Sequence, residues 1–196
     1  MSQEERAELM ITLGGNSKPN EEKKDTMIDH IQKKMQHQHF PCEWRIELLK
    51  QKHIIEIVVM IPVELGIEKT FTDRYGKRNT KSKFVFEDTV LLYDARLAEI
   101  KDDNYITTLS FDEPDGFYGG TIEAICKNLR LTVGEAIPQL NEFIHDDDQN
   151  HFELNWNEDS FQTTIKTLKD TGRFDYTIYA YPLENTGETV EANEME

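Results

Sequence analysis

Residues 84–94 read FVFEDTVLLYD, the most strand-like run of the chain, with an acidic pair at its centre. Alternate side chains of a strand point to opposite faces. One face then carries Phe84, Phe86, Asp88, Val90 and Leu92. An unbroken strand would direct Asp88 into this apolar face, where a carboxylate needs hydrogen-bond donors or a partner charge. A β-bulge at Glu87 and Asp88 would shift the alternation and leave both carboxylates free to reach water. Since unpaired buried aspartates are rare, we predict the bulge; a satisfied polar site at Glu87 and Asp88 is the alternative.

The chain as a whole is acidic: its 196 residues include 38 Asp and Glu against 22 Lys and Arg, a net charge of -16. This balance disfavours nucleic acid and an anionic membrane as main partners, since both reward a cationic surface. No apolar run approaches the length of a membrane span, and no signal-peptide pattern follows Met1. The two cysteines, Cys42 and Cys126, form neither a CxxC motif nor a disulfide framework. We therefore expect a cytoplasmic protein with free thiols.

The length and the two ends of the chain predict one domain with appendages. Residues 1–24 lack a core of their own and contain the linker-like run GGNSKP at residues 14–19, so we expect a flexible extension. Residues 25–182 hold the regular patterns and form the predicted domain. Residues 183–196 are rich in glutamate, contain no Lys or Arg, and predict an acidic disordered tail.

The first half of the domain predicts a helix followed by strands. Thr26 and Asp29 have the spacing of a capping box and predict a helix over about residues 26–38. Residues 43–49 alternate between apolar and polar, and residues 54–65 are almost wholly apolar, which predicts a β-hairpin. Residues 105–111 predict the strand after residues 84–93. We expect these two strands to pair antiparallel, since the connection between them is short.

The second half predicts more helices. A helix that opens after the glycine-rich run at residues 116–121 should end near Gly134 and Pro138, with a second short helix beyond. Residues 152–156 predict a strand, Asn157 should cap a further helix that ends at Gly172, and residues 174–181 predict a last strand. This order predicts an α+β fold: a mostly antiparallel β-sheet of about five to six strands with helices packed on one face.

Residues 66–83 stand apart as a basic hairpin loop. From residue 69 to residue 83 there are six basic residues and one acidic residue, with aromatic side chains between them. Such a segment could grip phosphates and stack bases, or it could be a solvated hairpin extension beside an acidic body. Together with two tyrosines of the last strand, it supplies our candidates for partner binding: Lys69, Arg74, Tyr75, Lys77, Arg78, Tyr179 and Tyr181.

Two further segments contain residues that could bind an ion. Residues 145–151 offer His145, Asp146, Asp148 and His151 as candidate metal ligands. They lack the alternating oxygens, central glycine and terminal glutamate of an EF-hand loop, so a solvated acidic loop is the alternative. The glycine-rich turn at residues 116–121 opens a helix and could bind an anion, but it lacks the lysine and spacing of a P-loop.

Two motifs resemble a known family. The pattern FxFEDxVLLYD at residues 84–94 and the pattern FELNWNxxxF at residues 152–161 resemble the "domain of unknown function 3013" proteins of Firmicute bacteria. The resemblance covers about residues 25–181 and implies a cytoplasmic bacterial protein with an α+β fold. It carries over no catalytic residue, because these motifs are strand and helix-cap patterns. Neither the amino-terminal extension nor the basic loop is among the residues that carry the resemblance.

No sequence motif indicates an enzyme or a cofactor: GxSxG, HExxH and P-loop patterns are all absent from the sequence. The main hypothesis is a non-enzymatic protein-binding or adaptor module of a chaperone-like kind, with an unidentified protein partner and an open oligomeric state. It requires a contiguous exposed apolar patch on the sheet. One alternative is a metal-assisted hydrolase or small-ligand-binding protein that uses Glu87, Asp88 and Asp94. The other is a nucleic-acid-associated protein that acts through the basic loop.

Overall fold

A computed structural model gives the fold of this chain over residues 25–49, 53–72, 78–98, 100, 104–111, 116–146, 151–182 and 190–191. Its helices are α1 (Met27–His37), α2 (Gly119–Phe143) and α3 (Glu158–Asp170). Its strands are β1 (Glu43–Leu49), β2 (Ile54–Thr72), β3 (Arg78–Asp94), β4 (Thr107–Phe111), β5 (Gly116–Tyr118), β6 (Ile178–Ala180) and β7 (Val190–Glu191). These elements form an α+β fold, as the sequence predicts.

β3, the strand that contains residues 84–94, is an interior strand of the main sheet, whose order is β4-β3-β2-β1-β7. β1 and β2 form the predicted hairpin, and β3 pairs antiparallel with β2. β5 and β6 form a separate two-stranded antiparallel sheet. β7 lies within the predicted acidic tail and pairs with β1 at Arg45 and Ile46. The rest of that tail, like the predicted extension at residues 1–24, lies outside the described residues.

The prediction of antiparallel pairing between β3 and β4 is wrong, because β4 runs parallel to β3, from Val90 opposite Thr107 to Asp94 opposite Phe111. Parallel neighbours need a crossover of about a dozen residues. The connection over residues 95–106 has that length, which is more than an antiparallel turn requires. The main sheet is therefore mixed, with one parallel pair at its edge.

The prediction of a bulge at Glu87 and Asp88 is also wrong. Pairing between β2 and β3 runs without a shift from Ile54 opposite Tyr93 to Glu64 opposite Lys83. Asp88 is half-buried, and its Oδ1 accepts the backbone N–H of Thr89 at 2.8 Å. The carbonyl of Thr89 accepts from Ile106 at 2.8 Å, so the N–H of Thr89 also points toward the β4 side, where β4 has not yet begun. Asp88 therefore supplies the acceptor that a neighbouring strand would otherwise provide.

The β2–β3 hairpin does contain a bulge, but it lies farther along, between Glu64 and Lys69. Between Glu64 and Lys69, β2 advances five residues while β3 advances only from Lys83 to Lys81. A bulged strand bends and twists more strongly, and Gly66 lies inside this bulge. The hairpin therefore changes direction just where the basic segment begins.

The main core lies between the helices and one face of the sheet. α1 begins with the predicted capping box, in which Thr26 and Asp29 each accept a backbone N–H of the other. The fully buried side chains include Met27, Ile31 and Met35 from α1, Ile46, Ile55, Ile57 and Leu92 from the sheet, and Ile122, Ile125, Leu129 and Leu140 from α2. Burying each such side chain contributes about 1.5–3 kcal/mol. Both cysteines lie in this core, and burial raises the pKa of the Cys42 thiol to about 11 and that of the Cys126 thiol to about 12.

Three predicted elements of the second half differ in the structure. α2 continues through Gly134 and Pro138 as one helix of 25 residues. Both residues are exposed, so water can solvate the carbonyl that Pro138 leaves without an N–H. Residues 152–156 lie outside any strand although Leu154 is buried, and the last strand is limited to Ile178–Ala180. α3 follows the prediction, with Asn157 as its cap and Gly172 in the left-handed region just after its end.

Candidate functional site

The acidic pair of β3 does not form a carboxylate site, because its two side chains point to opposite faces. Asp88 lies on the core face and Glu87 on the outer face, where Arg45 Nη2 donates to Glu87 Oε2 at 3.1 Å. The hydrogen bond from Arg45 to Glu87 raises the pKa of the guanidinium. Exposed pairs of this kind contribute about 0–1 kcal/mol. Glu87 and Arg45 therefore form a surface ion pair.

Asp94 completes the predicted carboxylate set but lies at the far end of β3. Six residues of strand separate it from Asp88, a distance of about 20 Å. It is 4% exposed and accepts from Arg96 Nε at 2.8 Å and from the Arg96 backbone N–H at 2.9 Å. The hydrogen bond from the Arg96 side chain holds the pKa of Asp94 below its usual value. Glu87, Asp88 and Asp94 thus do not converge on one point.

The described metal candidates are exposed and lie at the two ends of residues 145–151. The His145 Nδ1 atom lies 2.7 Å from the Asn141 carbonyl, and the His151 Nε2 atom lies 2.5 Å from Glu153 Oε1. Asp146 is exposed, and Asp148 lies outside the described residues. In the part of the chain that the structure describes, no three His, Cys, Asp or Glu side chains are grouped to hold a metal. Metal binding at this loop stays a prediction.

The basic segment is the part of the β2–β3 hairpin that lies beyond the bulge, and we call residues 66–83 the basic arm. Lys69 pairs with Lys81, and Thr72 pairs with Arg78, across the hairpin. β1 pairs with β2 only as far as Met60, and β4 pairs with β3 only from Val90 onward. No described strand therefore flanks the arm on either side. Arg74, Tyr75 and Lys77 lie in residues 73–77, outside the described residues.

The two candidate tyrosines near β6 are partly or wholly covered. Tyr181 is 8% exposed and belongs to the core, with its ring centroid 6.3 Å from that of Phe111. Tyr179 stacks on His30 with ring centroids 3.7 Å apart, and its hydroxyl donates to Asp175 at 3.3 Å. Neither tyrosine presents an open ring face of the kind that a partner surface needs.

The glycine-rich turn before α2 binds the protein's own backbone. Gly119 N–H donates to Thr177 O at 2.8 Å, and Gly120 N–H donates to Asp175 O at 2.9 Å. A side chain at either glycine would collide with this segment: a Cβ on Gly119 would lie 2.3 Å from Asp175 Oδ2, and one on Gly120 would lie 2.4 Å from the Phe174 ring. The backbone N–H groups of Gly119 and Gly120 are therefore already bonded within the protein and are not available to an anion, and the glycines permit close packing.

A groove between α1 and α2 is the feature that sequence reasoning missed. Its volume is about 350 Å³, and we call it the α1–α2 groove. Its lining residues are His30, Lys33, Lys34, His37, Gln38, Glu123 and Lys127. Lys34 and Lys127 each donate to Glu123 at 2.6 Å. The spacing of His30, Lys34 and His37 on one helical face was a visible signal, but the contribution of α2 was not.

One comparison with known proteins identifies a family, and another finds a similar fold. Residues 22–183 match the family described as "Protein of unknown function (DUF3013)", which is the family that the two sequence motifs resemble. The chain belongs to this family. It is similar in fold to the crystal structure of a conserved protein of unknown function from Enterococcus faecalis, with a TM-score of 0.67 and 22% sequence identity. That match covers 82% of this chain and 97% of the other. No curated protein matches the chain.

Two further observations bear on function. No helix in the described ranges is both long and apolar enough to cross a membrane. Large exposed apolar side chains among the described residues are scattered over several elements: Val85, Leu97, Leu131 and Tyr176. The outer face of the sheet instead carries ion pairs, Arg45 with Glu87 and Lys83 with Glu64. The apolar patch that a chaperone-like surface requires is thus not present on the described outer face.

Proposed function

We propose that this protein is a non-enzymatic protein-binding module whose basic arm docks on an acidic surface of a protein partner. The observation that carries the proposal is the projection of the β2–β3 hairpin beyond the strands that flank it. Residues 65–72 of β2 can reach at most about 26 Å past Glu64. The two strands of the arm also have open outer edges among the described residues, and such edges offer backbone groups to a partner strand.

The charge of the arm supports an acidic partner. Outside residues 69–83, the stretch that holds all six basic residues of the arm, the chain keeps 37 of its 38 acidic residues but only 16 of its 22 basic residues, a net charge of -21. The arm is therefore a cationic ribbon on an acidic body. Residues 69–83 hold six basic residues and one acidic residue. This excess of positive charge favours recognition of an acidic partner by charge over recognition by apolar contact.

A protein partner fits this charge distribution better than a nucleic acid does. A duplex carries negative charge along its whole length, so a body of net charge -21 would be repelled from the phosphates that flank the arm. An acidic patch on a protein is local and can meet the arm alone. A cationic arm also speeds encounter with such a patch, an effect that declines as salt rises.

Affinity purification from the native cytoplasm with quantitative mass spectrometry tests the proposal. The wild-type chain is compared with a variant that carries Lys69→Gln, Arg78→Gln and Lys81→Gln in the arm. The control removes three exposed charges elsewhere: Arg130→Gln, Lys166→Gln and Arg173→Gln. We expect at least one acidic protein to bind the wild type and the control but not the arm variant.

Recovery of the same proteins by all three chains would contradict the proposal. A gel-shift titration at low ionic strength with duplex and single-stranded DNA separates the nucleic-acid alternative. Salt-sensitive binding that the arm variant loses, with no protein lost in the purification, would favour that alternative instead.

A further inference from the structure

The α1–α2 groove has a charge opposite to that of the protein. Its lining includes three lysines and one glutamate, a local charge of +2 with the histidines neutral, in a chain of net charge -16. Lys33 also pairs with Asp25 at 2.5 Å, just outside the lining, which reduces this excess from +2 to +1. A cationic groove in an acidic protein attracts small anions, because a concave surface of one sign concentrates the field.

Glu123 holds the two inner lysines in place. Its side chain is 20% exposed and accepts from Lys34 and Lys127, one at each carboxylate oxygen. Although burial by itself would raise it, these hydrogen bonds lower the pKa of Glu123, so the carboxylate is ionised. An ammonium group has three donors, and Glu123 uses one from each lysine. Both lysines therefore keep donors for a second anion.

Two polar atoms of the lining residues lack partners. His30 Nε2 and Gln38 Oε1 are buried and have no hydrogen bond to any described residue. His30 is 8% exposed, and its ring is stacked on Tyr179. An unsatisfied buried polar atom costs about 1–3 kcal/mol. A ligand with polar groups would offset this cost if it engaged the imidazole and the amide as well as the lysines.

We propose that the α1–α2 groove binds a small phosphate-bearing molecule, with Lys34 and Lys127 on the phosphate and Glu123 as the carboxylate that orients them. Phosphate fits better than carboxylate, since a phosphate monoester carries about -1.5 to -2 charge at pH 7 and has three strong acceptor oxygens. Its three acceptor oxygens can take the spare donors of both lysines, which the two oxygens of a carboxylate do less completely. The site is separate from the basic arm, and it does not depend on the proposed function.

The test is a calorimetric titration of the full chain in phosphate-free, low-salt buffer. The probes are inorganic phosphate and glycerol 3-phosphate, with glycerol as the uncharged control. Lys127→Gln removes one phosphate donor, and we expect the Kd of both probes to rise by about fivefold. Glu123→Gln frees both lysines from their internal anion, and we expect the Kd to fall by a similar factor. Lys166→Gln, an exposed lysine on α3, should leave the Kd unchanged.

Opposite changes in Kd in Lys127→Gln and Glu123→Gln would identify the site, because a damaged fold would raise the Kd in both variants. Thermal denaturation of each variant confirms that it is folded. The proposal is overturned if neither probe binds saturably, or if Lys127→Gln and Lys166→Gln weaken binding equally. It is also overturned if glycerol binds as tightly as glycerol 3-phosphate.

Discussion

At the residue scale, His30 shows how burial determines a charge state. Burial, followed by the nearby Lys34 ammonium, lowers the pKa of the imidazole. The neutral ring stacks on Tyr179, while its Nε2 atom has no partner among the described residues. His30 therefore contributes packing at the cost of one unsatisfied polar atom.

A pH titration of stability tests this account. Because the pKa of His30 is lower in the folded state, the unfolded chain binds the proton more readily, and stability falls as the pH drops below about 6.5. His30→Phe keeps an aromatic ring against Tyr179 and removes the proton. We expect the free energy of unfolding of this variant, measured in urea, to equal or exceed that of the wild type at pH 7.5, with a gap that widens toward pH 5.5. A difference in free energy of unfolding that stays constant from pH 7.5 to pH 5.5 would contradict a lowered pKa for His30.

Asp88 provides a second residue-scale test. Its Oδ1 accepts the backbone N–H of Thr89 on the side of β3 where β4 has not yet begun. Asp88→Ala leaves that N–H without this acceptor, and we expect a loss of about 1–2 kcal/mol in the free energy of unfolding. Asp88→Asn retains an oxygen acceptor and should lose less than half as much. As a control, Glu87→Ala on the outer face should change stability by about 0.5 kcal/mol or less. Equal losses in the Ala and Asn variants would show that the acceptor is not the cause.

At the element scale, α2 carries a visible defect that the fold tolerates. Pro138 lies inside a helix of 25 residues, where proline removes one backbone hydrogen bond and clashes with the carbonyl four residues earlier. That carbonyl belongs to Gly134, and both residues are exposed. The buried residues on either side of the defect, Val133 and Leu140, remain in the core and hold the helix together.

Replacement of this proline should stabilise the protein. Proline is about 3 kcal/mol less favourable than alanine in a helix interior, although it also restricts the unfolded chain. We expect Pro138→Ala to raise the free energy of unfolding by about 1–3 kcal/mol in a urea titration. Glu135→Ala, on the same exposed stretch, is the matched control and should stay within about 0.5 kcal/mol of the wild type. If Pro138→Ala is neutral or destabilising, the proline has a packing role that its exposure does not reveal.

Several features that depend on residues close together in the sequence were predicted correctly. Several features that depend on contacts between distant segments were not. The capping box at Thr26 and the cap at Asn157 involve residues within three positions of each other, and both were predicted correctly. That residues 84–94 form a strand followed from their own strand-like run. The direction of β4 depended instead on the path of residues 95–106, and the acceptor role of Asp88 depended on where β4 begins. Neither is encoded in a local pattern.

At the scale of the whole molecule, the candidate site was the part least accessible from sequence. Lys34 and Glu123 are 89 positions apart and meet only because α1 packs on α2. The three carboxylates of β3 looked like a site in the sequence because they are close along the chain. A strand separates such residues, since alternation sends Glu87 to one face and extension carries Asp94 about 20 Å from Asp88. Proximity along a strand is thus a poor guide to convergence.

The burial of both cysteines has a practical consequence for studying how this molecule opens. A thiol with a pKa of about 11 or about 12 is almost wholly protonated at pH 7.5, and a protonated, enclosed thiol does not attack a disulfide reagent. Modification must therefore wait for the surrounding structure to separate. Cys42 precedes β1 and Cys126 lies within α2, so each thiol reports on a different layer.

We expect Ellman's reagent to label the native chain at least about a hundredfold more slowly than the urea-unfolded chain. Single variants, Cys42→Ala and Cys126→Ala, would assign a rate to each layer. Identical rates at the two thiols would indicate that sheet and helix open together, whereas faster labelling at Cys42 would indicate that the sheet opens first near β1. Immediate labelling of either thiol in the native chain would contradict its burial. The two natural cysteines thus report local unfolding at two places in the fold, without the need to introduce new cysteines.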